Sequence, residues 1–218
     1  MCEAAPTGDE HAPPQSFFPV RYQGKSLPTV PSCDAHNGAN AKDVDYVRGV
    51  LCIQYGTNAI AEEVFATAQR SWDHSPKLFN RTFEGMVEAE VVGGEQTEEI
   101  GVFTIDLRRV KSVMCAIAHA VYYAERGHAW AGTFEIFCAF HSMESLQGLP
   151  DGSEKTGTWF AARPYAKRPT LHADVFEYQV HESNELIFAM RFYGGPWIYA
   201  RRVGRVAVVA QPTLVVSV

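Results

Sequence analysis

Apolar positions recur with a helical period in the first half of the chain and with a period of two in most of the second. Over 39–55, Val44, Val47, Val50, Leu51 and Tyr55 fall at helical spacing. Asp43 and Asp45 occupy the first turn, where carboxylates complement the helix dipole, and Asn40 suits the cap. A second helix is expected over 58–72, with Ile60, Val64, Phe65, Ala68 and Trp72 on one face and Ser75-Pro76 ending it. Residues 77–92 read as a moderately amphipathic helix, Gly93-Gly94 as a turn and 100–105 as a strand. Asp106 should then cap the clearest helix of the chain. Its apolar stripe is Leu107, Val110, Val113, Met114, Ile117, Val121 and Tyr122, and Gly127 is the expected stop.

Beyond that glycine, strands are expected over 133–140, 158–162, 174–180, 186–193, 197–202 and 205–210, with turn residues between them. These patterns predict an α+β fold: a small N-terminal finger, a helical segment, and an antiparallel β-sheet packed on the long helix. Residues 1–37 are rich in Pro, Gly and Ser and cannot build a core alone, so they need a metal or the following helix as a staple. The expected division is 1–56 for the finger and 57–218 for an α+β C-terminal domain of unassigned role.

Composition narrows the class. Among 218 residues no apolar run approaches the roughly 20 that a membrane helix needs, so no membrane partner is expected. Met1 to Glu10 lacks the basic-then-apolar layout of a secretion signal, and a cytoplasmic location follows. Five cysteines, Cys2, Cys33, Cys52, Cys115 and Cys138, are an odd set that argues against a disulfide framework. The formal net charge of −6 counts against tight nonspecific nucleic-acid binding. Arg163, Lys167, Arg168, Arg191, Arg201, Arg202 and Arg205 nevertheless crowd the last third, which leaves room for a local basic face or a solvated mixed one.

Only the N-terminal stretch names a chemistry. It reads Gly8-Asp9-Glu10-His11-Ala12-Pro13-Pro14, then a loop, then Val30-Pro31-Ser32-Cys33-Asp34-Ala35-His36-Asn37 opening into a helix. Phosphodiester hydrolysis needs a nucleophilic water, a base for its proton, and positive charge against the phosphorane and leaving oxygen. Glu10 and Asn37 can offer oxygens to a hard cation such as Mg²⁺. His11, on the opposite side of an extended segment from Glu10, is then placed as base.

In the order acid-His-x-Pro, loop, Cys-x-x-His-Asn turn and helix, the stretch from Asp9 to Leu51 resembles the HNH (His-Me finger) endonuclease family. That resemblance implies a ββα-metal unit, with His11 as general base and Glu10 and Asn37 as metal ligands. It implies Lys42 as a candidate phosphate contact, and Thr29 lies near the position of the family's middle residue, commonly Asn. Many such modules bind a structural zinc between two Cys-x-x-Cys knuckles. Cys33 and His36 are the candidate knuckle here, and Cys2 stands alone for the other. The implied activity is a metal-dependent endonuclease acting on DNA, with RNA as the alternative substrate. The alternative is an HNH-like module without catalysis that binds nucleic acid or protein.

Elsewhere the residues have plainer expectations. His119 reads as a satisfied core histidine, whereas His74, His128, His141, His172 and His181 read as surface or turn residues. Cys52, Cys115 and Cys138 lie on apolar faces and read as buried. Arg201-Arg202 reads as a solvated strand edge, with phosphate contact as the alternative.

Overall fold

The computed structural model describes residues 6–23, 27, 29–33, 41–54, 56–73, 86–93, 96–141 and 154–204. The chain opens with β1 (Gly8–His11) and β2 (Thr29–Ser32), paired antiparallel so that Glu10 lies opposite Val30 and His11 opposite Thr29. Two short 3-10 turns, Gln15–Phe17 and Val20–Tyr22, lie between them and bury Phe17. Then come α1 (Ala41–Cys52) and α2 (Ala59–Asp73). The expected cap Asn40 lies outside the described residues, as does Ser75-Pro76. For α2 the cap is Asn58, whose Oδ1 accepts from the Ile60 amide at 3.0 Å.

The segment after α2 departs from expectation. Within the helix expected over 77–92, residues 77–85 lie outside the described residues and the chain is strand from Val87 onward. β3 (Val87–Gly93) pairs along its whole length with β4 (Gln96–Val102) as a separate hairpin. Val87, Glu88, Ala89, Glu90 and Val91 alternate apolar and acidic, a period of two that outweighs the helical spacing of Val87 and Val91. The strand expected over 100–105 accordingly starts earlier and ends at Val102.

α3 (Leu107–Arg126) is the long helix. Asp106 Oδ1 accepts from the Arg108 amide at 3.1 Å, and Gly127 ends the helix in the left-handed region at φ 70°. β5 (Thr133–Cys138) follows. Next comes α4 (Glu154–Ala161), where a turn and a strand over 158–162 were expected. Five residues are too few to separate the two periods, and tertiary packing decides for a helix. Phe160 stacks on Tyr199 (centroids 4.9 Å, 13°) and on Phe137 (5.4 Å, 17°).

β6 (Ala166–Lys167), β7 (Phe176–Glu182), β8 (Leu186–Phe192) and β9 (Trp197–Val203) complete an antiparallel five-stranded sheet in the order β5-β9-β8-β7-β6. The strand expected over 205–210 lies outside the described residues. Alternation sends Phe134, Ile136, Phe188, Met190, Ile198 and Ala200 to the face that meets α3. Ile187, Ala189 and Tyr199 point to the other face, under α4. The molecule is therefore α+β, with the long helix on one face of the sheet. The main apolar cluster also takes in Phe17, Val47 and Val50, so the N-terminal segment and α1 pack into the core that α3 forms with the sheet. No helix among the described residues is long and apolar enough to cross a membrane.

Candidate functional site

β1 brings Glu10 and His11 to a cleft of about 60 Å³ whose walls are Val44 of α1 and Val113, Ala116, Ile117 and Ala120 of α3. Both side chains are half-buried there. Strand alternation was expected to put them on opposite sides, but His11 is the last residue of β1 and the chain bends at Ala12, so both line the same cleft. Ser32, on the paired strand, donates its hydroxyl to Glu10 Oε2 at 3.3 Å. Among the described residues no Lys or Arg pairs with Glu10. His11 Nδ1 is buried without a hydrogen-bond partner, a state that costs about 1–3 kcal/mol when nothing answers it. Thr29, directly opposite His11, is exposed.

The other expected site residues divide sharply. Asn37, His36 and Cys2 lie outside the described residues. Lys42 is exposed in the first turn of α1, and its carbonyl accepts from Arg109 Nη2 at 2.8 Å. Cys33 is buried at 7 % exposure and has no disulfide. Among the described residues no three His, Cys, Asp or Glu side chains cluster as metal ligands.

Arg109 is a neighbour that sequence order does not announce. From the first turn of α3 it donates to Asp43 Oδ1 at 2.6 Å, and its guanidinium lies 4.0 Å from the centre of the Tyr46 ring. Tyr46 in turn accepts from the Asp106 amide at 2.8 Å, and burial raises its phenol pKa above the ordinary value. These contacts join the starts of α1 and α3 and hold the cleft walls at a fixed separation. The only sequence signal for them was the acidic first turn of α1.

Several histidines and cysteines differ from expectation. His119 is not satisfied: its Nδ1 is buried without a partner, its ring meets Phe134 edge-on at 5.0 Å, and burial lowers its pKa. His181 is a buried residue rather than a surface one, with its ring nitrogens at 3.1 Å from the Pro164 carbonyl and from Ser183 Oγ. His172 is half-buried and stacks on Tyr22 at 4.1 Å, while His128 and His141 are exposed as expected. His74 lies outside the described residues. Cys52 is buried and its thiol pKa is pushed up to about 12, whereas Cys115 and Cys138 are half-buried.

The basic residues of the last third are engaged. Glu177 pairs with Lys167 and Arg191, Glu125 with Arg168, Glu185 with Arg163 and Arg201, and Glu135 with Arg201. Arg202 lies over the Trp130 ring, and Arg205 lies outside the described residues. Comparison with protein-family models, with curated proteins and with solved structures found no match to this chain.

Proposed function

We propose that the protein is a metal-dependent endonuclease of HNH type that hydrolyses phosphodiester bonds in DNA in the cytoplasm. The observation that carries this reading is His11 at the end of β1, its Nδ1 buried and unpaired in a cleft that it shares with Glu10. The order β1, β2, α1 supports it, because it agrees with the ββα unit that the resemblance implies. The cytoplasmic placement is supported by the odd number of cysteines, which argues against a disulfide framework.

A divalent cation fits the donor chemistry of the site. Glu10 is a carboxylate without a cationic partner among the described residues, which leaves its charge available to a hard ion. Glu10 and Asn37 would hold it, and the cation would supply positive charge against the phosphorane and the leaving oxygen. A neutral imidazole has one accepting and one donating nitrogen, so His11 can take the proton of an attacking water. Val44, Val113 and Ile117 form apolar walls around it. Lys42, exposed beside this edge of α1, would meet a strand phosphate. A structural zinc on Cys2, Cys33 and His36 belongs to the same reading.

A second reading, an HNH-like module that binds nucleic acid or protein without cutting, is favoured by Thr29, exposed on β2 near the position where the family commonly has Asn. Plasmid nicking separates the two. The wild type is expected to nick with Mg²⁺ or Mn²⁺ and to stop in EDTA. His11→Ala is expected to lose about 10²–10⁴-fold in rate while keeping its circular dichroism and Tm. Equal nicking by wild type and His11→Ala would contradict the mechanism, and nucleic-acid affinity without metal-dependent nicking would favour the binder.

A further inference from the structure

An open cavity lies between the segment that carries the 3-10 turns, α1 and α2, and it shares no lining residue with the His11 cleft. Its polar lining is Gln15, Ser16, Gln23, Arg48 and Thr67, with no acid among the described residues of the wall. The Arg48 side chain is only 11 % exposed. Its ion-pair partner is Asp45, a carboxylate 46 % exposed to water and 3.3 Å away, longer than the 2.6 Å between Arg109 and Asp43. Nε of Arg48 is enclosed without a hydrogen-bond partner, so the Nη groups are the donors left for a ligand. The titratable groups buried beside it supply no charge. Burial pushes the Cys52 thiol up to about 12 and holds the Tyr193 phenol well above its ordinary value, so both are neutral at about pH 7. A guanidinium so far out of water is costly unless charge and hydrogen bonds answer it.

The remaining lining sorts into committed and available groups. Gln23 donates to the Phe18 carbonyl at 2.8 Å. Thr67 donates to the Glu63 carbonyl at 3.2 Å and accepts from Arg70 Nη2 at 3.1 Å, which brings a second guanidinium to the wall. The Glu63 carboxylate is taken by Arg21. Arg48 and Arg70 therefore stand against Asp45, a positive balance in a chain of net charge −6. Gln15 and Ser16, both half-buried in the wall, can donate an amide and a hydroxyl. We propose that this cavity binds a small oxyanion, a carboxylate or a phosphate group, through the Nη groups of Arg48 with Ser16 and Gln15 as further donors. The flat fork of an arginine matches either group, whereas a spherical halide cannot take two parallel bonds from it. The site does not depend on the nuclease reading.

The test follows thermal unfolding of the full chain in EDTA and chloride buffer, with sodium phosphate, sodium acetate or further sodium chloride added at matched ionic strength. Phosphate, acetate or both should raise Tm along a saturable curve, beyond the effect of chloride. Arg48→Met removes the fork and keeps an unbranched side chain, and it should raise the half-saturating concentration at least about tenfold. Ser16→Asp supplies a carboxylate within the cavity. It should raise Tm in chloride alone and abolish the further rise with phosphate or acetate.

A saturable rise with phosphate alone assigns the cavity to a phosphate group, and one with acetate alone assigns it to a carboxylate. A rise no larger than that given by chloride would overturn the proposal, as would a saturable rise that survives Ser16→Asp or a folded Arg48→Met unchanged. Ser16→Asp decides by itself if Arg48→Met does not fold. Absence of metal-dependent nicking would leave this site standing, and absence of oxyanion binding would leave the His11 mechanism standing.

Discussion

Tyr193 is fully buried, sits at φ 53°, and donates its hydroxyl to the Phe17 carbonyl at 2.7 Å. A non-glycine residue at positive φ is uncommon, and here Gly194 follows at φ 72° to complete the turn between β8 and β9. The bond ties the N-terminal segment to the sheet, and Tyr193→Phe would leave the Phe17 carbonyl buried and unanswered. Urea denaturation should show a loss of about 1–3 kcal/mol. His119 gives a second prediction at this scale. Burial lowers its pKa in the folded protein below the roughly 6.5 of an unfolded chain, so the unfolded state takes up the proton first. Its contribution is therefore fully present above about pH 6.5 and is lost as the pH falls from there towards the folded pKa. Tm should fall on acidification through that window, and less steeply in His119→Leu. An equal slope in both proteins would remove His119 as the cause.

Among elements, α3 was legible because its signals are local. Asp106 bonds an amide of the first turn, the apolar stripe meets the sheet, and Gly127 takes the left-handed conformation that ends the helix. Asp106→Ala should cost about 1 kcal/mol, read as a lower urea midpoint with an unchanged m value. α4 was not legible. Its side chains are ordered by Phe137 and Tyr199, which belong to other elements, and a short window containing Trp159 and Phe160 resembles a strand equally well. β3 was misread for another reason: the alternation of Val87, Glu88, Ala89, Glu90 and Val91 was visible, but the i,i+4 valines also satisfy a helix, and only pairing with β4 decides.

For the whole molecule, the apolar cluster running from Phe17 and Val47 to Phe134, Phe188 and Phe192 couples the two units expected from the sequence. Thermal unfolding followed by far-ultraviolet circular dichroism and by tryptophan fluorescence should give coincident transitions, whereas separated midpoints would show the N-terminal unit melting independently. The candidate site was legible in part. Glu10 and His11 were found because an acid-histidine pair before prolines is a local pattern. The cleft around them was not, because Val113, Ala116 and Ala120 reach it through tertiary packing of α3. Arg109 was missed for the same reason, since its partners Asp43 and Tyr46 lie on α1.

The central claim, that His11 takes the proton of the attacking water, is tested most directly by chemical rescue. Nicking of a supercoiled plasmid by His11→Ala in Mg²⁺ should be near background without additive and should rise in proportion to added imidazole, with a pH dependence that follows the free base. No rescue at any imidazole concentration in a variant that keeps its fold, or nicking by that variant at the wild-type rate without imidazole, would contradict it.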